Sequence, residues 1–132
     1  MIRQVKSGDD ILAIHLSGEW ESGLHFYSAE EDFVQVGTWH YDAGKKLHAH
    51  KHNPVARTIT HTQEVIYIKQ GTLKASIYDI DGRFLECIEA HQGDVLILLN
   101  GGHGYEIMED ATQVLEVKNG PFVGCEADKT RL

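Results

Sequence analysis

Short apolar, β-branched runs broken by glycines or polar turns make up most of this chain. They fall at residues 11–16, 33–39, 64–68, 73–78, 84–88, 95–99 and 114–117. Strand-length runs with regular turn punctuation predict an all-β sandwich or barrel. Asp81-Gly82, between two of them, is a hairpin signal. Helical evidence is confined to Ser28-Ala29-Glu30-Glu31-Asp32, one possible turn with Ser28 as cap. No repeat, low-complexity tract or linker divides the 132 residues, so one domain is expected.

Alternation also orients the polar residues inside these runs, because successive side chains of a strand point to opposite faces. In residues 64–68 Glu64 shares its face with Ile66 and Ile68, while Val65 and Tyr67 face the other way. A carboxylate on an isoleucine face points toward the core, where it is costly unless paired or metal-bound. His48, His50 and His52 stand at every second position, so on a strand they project to one side. The apolar run 95–99 leads into Asn100-Gly101-Gly102-His103-Gly104, and glycines on both sides of His103 predict a turn that brings its imidazole inward. Tyr105 shares the face of His103 if the strand resumes. Imidazoles plus a carboxylate form a ligand set for a divalent transition metal, with positions left open for water or substrate. The competing reading is a group of solvated histidines in the lysine-rich stretch from Lys45 to Lys51.

Charge and composition narrow the partners. The formal net charge of −8 disfavours nucleic acid, whose binding depends on neutralising phosphates, and disfavours anionic membrane surfaces. No apolar run approaches the roughly 20 residues of a membrane-spanning helix. Met1-Ile2-Arg3-Gln4 runs into Ser7-Gly8-Asp9-Asp10 and not into an apolar signal segment. Cys87 and Cys125 are far apart and form no CxxC pair, so free thiols and a cytoplasmic location are expected.

At Gly44–Gly71 and Gly93–Ile107 the chain resembles the cupins, small jelly-roll β-barrels defined by two motifs. Gly44 followed by five residues reaches His50-Lys51-His52, and Glu64 followed by six reaches Gly71, as in the first motif. Eleven residues separate His52 from Glu64 where the family has three or four, a difference that a longer loop through Asn53-Pro54 absorbs. In the second motif Gly93, Gly101 and His103 match. Leu99 replaces a proline, one residue rather than two precedes His103, and Ile107 stands in the asparagine position. Gly37-Thr38-Trp39, Thr62 to Tyr67 and Glu116 to Phe122 add similarity to a narrower set of small single-domain cupins of unsettled activity.

The resemblance implies one cupin domain over residues 1–132, with an N-terminal strand arm to about residue 32 and a barrel core over about 33–125. It favours His50 and His52 over His48 and His50. The implied centre is one divalent ion, Fe, Ni, Mn or Zn, held by His50, His52, Glu64 and His103. Tyr105 is the candidate catalytic proton donor and His48 a nearby helper. The implied activity is oxygenase or isomerase chemistry on a small organic molecule; the alternatives are a non-catalytic ligand-binding module and a metal-free barrel. A homodimer is expected, with residues 11–16 adding to a partner's sheet, because open edge strands need cover. Arg57 and Gln63 are candidate substrate contacts, Glu116 a candidate support for a ligating histidine, and Trp39 core or pocket wall. Asp128, Lys129 and Arg131 read as a solvated tail.

Overall fold

The computed structural model describes all of residues 1–132. Ten strands account for 45% of the chain and helix for 3%, so the fold is all-β. They are β1 (Ile2–Ser7), β2 (Asp10–Leu16), β3 (Gly23–Phe26), β4 (Gly37–His40), β5 (Glu64–Gln70), β6 (Thr72–Tyr78), β7 (Phe84–His91), β8 (Val95–Leu98), β9 (Gly102–Ile107) and β10 (Gln113–Lys118). The one helix, α1 (Cys125–Asp128), is a single turn.

The strands form three antiparallel sheets: β1-β2-β8-β5-β10, β7-β6-β9 and the hairpin β3-β4. The first two are layers of one sandwich. Ile66, Ile68, Leu96 and Leu98 of the larger sheet share a buried cluster with Leu73, Ala75, Ile77, Ile88 and Ala90 of the smaller. From β5 onward the chain passes between the layers, with β5, β8 and β10 in one and β6, β7 and β9 in the other. All four residues of β8 are buried because the larger sheet is covered on both faces. Val95 and Ile97 pack with Ile14 and Leu16 under Tyr27, Val34 and Val36. A continuous apolar run is what such a doubly covered strand requires.

No closed barrel forms. β9 is bonded only to β6, and β10 only to β5, so each leaves one edge free. Residues 41–63, which join β4 to β5, have no regular structure and are exposed apart from Gln63 and the half-buried Thr62.

Several expectations change. Residues 33–36 are not strand. Phe33 and Val34 donate their backbone N–H groups to the Gln63 side-chain oxygen, at 2.7 and 3.1 Å, in place of a ladder partner. Ser28 caps no helix; its hydroxyl accepts the Val36 N–H, and residues 29–32 form only a turn. Residues 11–16 do not form a free arm, because β2 is paired on one side by β1 and on the other by β8. Trp39 is 60% exposed and does not enter the core. The turn before β9 is made at Gly101, with φ +71, and not at the glycines flanking His103. A Cβ on Gly101 would lie 2.3 Å from the Tyr78 carbonyl oxygen, so no other residue fits there without moving backbone.

The core map predicts the ranking of substitutions. Ile77→Ala removes a fully buried side chain between the layers and should cost about 2–5 kcal/mol. Trp39→Ala should stay within about 1 kcal/mol, since it removes an exposed ring. Urea unfolding of the two variants checks the order; equal losses would show that the sandwich core is misplaced.

Candidate functional site

The site begins with Glu64, the first residue of β5. The strand's burial alternates as its sequence does, with Glu64, Ile66 and Ile68 inward. Glu64 is 5% exposed, so its carboxylate has little water and needs protein partners. Three come from neighbouring strands. The Tyr105 hydroxyl donates to Oε1 at 2.6 Å. His103 Nε2 lies 3.0 Å from the same oxygen, and Lys118 Nζ lies 3.8 Å from Oε2.

Strand register explains the convergence. In β9 His103 lies opposite Ile77 and Tyr105 opposite Ala75, so both share the inward face of β6. In β10 Lys118 lies opposite Glu64 and Glu116 opposite Ile66, on the inward face of β5. The two layers thus meet at their free edges in polar residues instead of apolar ones. Ala75 leaves room above it for the Tyr105 ring, which packs at 5.0 Å from the His103 ring.

The charges respond to this packing. Burial pushes the Glu64 carboxyl up, but hydrogen bonds from His103 and Tyr105 and the charges of His103 and Lys118 outweigh it and hold the group at about 2, against an ordinary 4.5. Burial raises the Tyr105 phenol, and the Glu64 carboxylate raises it further, so Tyr105 keeps its proton. For Lys118, burial acts downward, and Glu116, Glu64 and Asp128 overcome it and keep the ammonium above its usual range.

Of these residues, Glu64 and His103 border a cleft of about 540 Å³, with Tyr105 and Lys118 behind them. Glu64, His103 and Asn100 line it beside His61 and Thr62, and the segment from Asp128 to Leu132 also lines it. Lys129 and Arg131 are exposed, as a solvated tail would be, and with the half-buried Asp128 they also line the cleft. No periodic signal marks these five residues; only tertiary folding brings them here.

The remaining candidates fall elsewhere. Glu64, His103 and Tyr105 come together, whereas His50 and His52 lie on the exposed coil, their rings 5.2 Å apart and edge to face. His50 Nδ1 is 2.9 Å from the carbonyl oxygen of the equally exposed His48. Lysine-rich and without alternating apolar residues, this stretch gains nothing from the core. No three His, Cys, Asp or Glu side chains form a group able to hold a metal ion. Gln63 is a structural residue: beyond its bonds to Phe33 and Val34, its amide nitrogen donates to the Leu99 carbonyl at 3.2 Å. Arg57 is exposed on the coil. Glu116 supports no histidine; it lies 3.4 Å from Lys118 Nζ. His61 contacts the Leu99 carbonyl oxygen through Nε2 at 3.1 Å and packs on Phe33. Both cysteines are free and exposed, and no helix is long and apolar enough to cross a membrane.

Compared with known protein families, with curated proteins and with solved structures, the chain finds no match.

The depressed Glu64 carboxyl carries a pH signature. A group whose folded pKa lies below its unfolded value stabilises the fold above the unfolded value and loses that contribution as pH falls toward the folded one. Between pH 4.5 and about 2 the chain should lose about 3 kcal/mol through Glu64. Glu64→Gln should flatten that part of the profile. Urea midpoints measured across this range, equally steep in both proteins, would show that the carboxylate is not held in this way.

Proposed function

We propose that this chain is a cupin-like, metal-dependent enzyme that acts on a small organic molecule, by oxygenase or isomerase chemistry, in the cleft beside Glu64, His103 and Tyr105. The observation that carries the reading is the buried Glu64 carboxylate, bonded to an imidazole and a phenol at the wall of a 540 Å³ cleft. Small-molecule sites commonly have this size and a few convergent polar groups. Two facing antiparallel layers, with the chain alternating between them from β5 to β10, support an opened jelly roll as the fold.

Glu64 and His103 supply half of the proposed ligand set. His50 and His52 supply the rest when residues 45–52 lie along the free edge of β9, where a two-residue period turns both imidazoles to one side. The eleven residues between His52 and Glu64 give ample reach. Neutral imidazoles and one carboxylate suit Fe, Ni, Mn or Zn, and such an ion, when bound, supplies Lewis-acid or O₂ chemistry. Tyr105 holds a proton at its hydroxyl, already directed to the Glu64 carboxylate. In that arrangement His48, on the same period as His50 and His52, comes to the same side and relays protons with it.

A second reading, a non-catalytic module binding a small ligand, is favoured by one observation: Glu64 is already satisfied by Tyr105, His103 and Lys118. A cytoplasmic location and a homodimer complete the proposal. The exposed Leu115 and Val117 of β10 give a second copy an apolar face to cover. A monomer mass by light scattering at micromolar concentration would contradict the dimer.

Metal uptake tests the main reading. Purified protein should take up about one equivalent of a divalent transition ion. His50→Ala, His52→Ala and His103→Ala should each abolish tight binding with the far-UV spectrum retained. Tyr105→Phe should keep the metal and lose turnover, since it removes a proton donor and no ligand. Full metal content in His103→Ala would remove the proposed centre, full turnover in Tyr105→Phe would remove Tyr105 from the chemistry, and metal-loaded protein that binds small molecules without turnover would leave the binding module as the better reading.

A further inference from the structure

Residues 128–132 form a wall of the cleft that Glu64 and His103 also line, and its attachment is specific. The Thr62 hydroxyl donates to the Asp128 carboxylate. The Leu132 side chain sits against Gly102 so closely that a Cβ on that glycine would lie 2.4 Å from it, and it also approaches Gly82. The segment is thus pinned by a hydrogen bond at Asp128, and at its other end Leu132, 69% exposed, rests one side of its side chain on Gly102. Lys129 and Arg131 lie between these two contacts and line the cleft.

Their charge is unanswered within the fold. The two side-chain carboxylates of the cleft are engaged: Glu64 by Tyr105, His103 and Lys118, and Asp128 by Thr62. Neither Lys129 nor Arg131 makes an ion pair, although the chain has 20 acidic residues against 12 basic ones. A guanidinium offers a carboxylate or phosphate two parallel hydrogen bonds, and an ammonium beside it adds a second positive charge. The His61 imidazole and the Asn100 amide line the same cleft.

We propose that the cleft receives a small anionic molecule, its carboxylate or phosphate group on Lys129 and Arg131 and its remaining part toward Glu64 and His103. The inference rests on the reading of this cleft as the small-molecule site and adds the class of ligand. The segment 128–132 then acts as the specificity wall: it selects for charge, while Glu64 and His103 are the cleft groups proposed for chemistry. A neutral analogue of the same size loses the charge-assisted contacts and gains nothing in exchange.

The test uses the full chain stripped of metal, so that anion binding is read separately from metal uptake. Succinate and glycerol 3-phosphate are titrated beside the neutral succinamide and glycerol, with the backbone amide signals of residues 100–104 and 128–132 followed by NMR. At least one anion should shift both sets, bind at least about tenfold more tightly than its neutral partner, and weaken as salt rises. Which of the two binds separates a carboxylate from a phosphate source. Lys129→Gln/Arg131→Gln should lose at least about tenfold in anion affinity with the urea midpoint unchanged, because the wall is exposed and its two contacts remain. Thr62→Val, which releases the Asp128 pin and keeps both charges, should lose less. Equal binding of neutral and anionic probes, undiminished binding in the double variant, or no anion binding at all would overturn the inference. Metal uptake in the same preparations reports on the enzymatic reading independently.

Discussion

The buried carboxylate of Glu64 is the constraint around which the open end of this molecule is arranged. An ion at 5% exposure is tolerated only where hydrogen bonds and opposite charge replace its water. Its partners come from two other strands: Tyr105 and His103 from β9, and Lys118 from β10. β5 and β9 lie in different layers of the sandwich, so this cluster ties the layers together where apolar packing gives out. Removing Tyr105 takes away a hydrogen bond to the carboxylate, and removing His103 or Lys118 takes away a partner of opposite charge, which makes the cluster a structural tie.

The rest of the architecture follows from the same division. Toward β7 and β8 the layers meet through Ile66, Ile77, Ile88 and Leu96, all nearly inaccessible. Toward the free edges of β9 and β10 they meet through charge, with Lys118 held between Glu64 and Glu116. The cleft opens there because polar side chains cannot close it as leucines would. The segment 128–132 also lines it, and beside it hangs the exposed coil 41–63 with its three alternating histidines. In the reading proposed above, the cleft gains a second wall from the chain's end and further ligands from the coil.

Much of this was legible in the sequence because strand periodicity is local. The alternation in residues 64–68 placed Glu64 on the isoleucine face, and its burial follows. Asp81-Gly82 marked the β6–β7 turn, and Tyr105 does share the face of His103. What was not legible depends on distant partners. β1 and β3 carry too little apolar alternation to stand out, and they exist because β2 and β4 pair with them. Residues 33–36 look like strand but turn their N–H groups to Gln63, a side chain 29 or 30 positions away. The wall at Lys129 and Arg131 has no period at all. His50 and His52 show the converse: a strand-like period without a strand, since polar alternation supplies no core to hold it.

The direct measure of the central claim is the titration of Glu64 itself, followed through its side-chain carboxyl carbon by NMR and assigned with Glu64→Gln. A carboxylate held by Tyr105, His103 and Lys118 should titrate at about 2, well below the ordinary 4.5. In Tyr105→Phe, which removes one of the hydrogen bonds, the midpoint should rise. A wild-type midpoint near 4.5, unmoved by Tyr105→Phe, would mean that the three strands do not converge on this residue and that the cleft is not built as described.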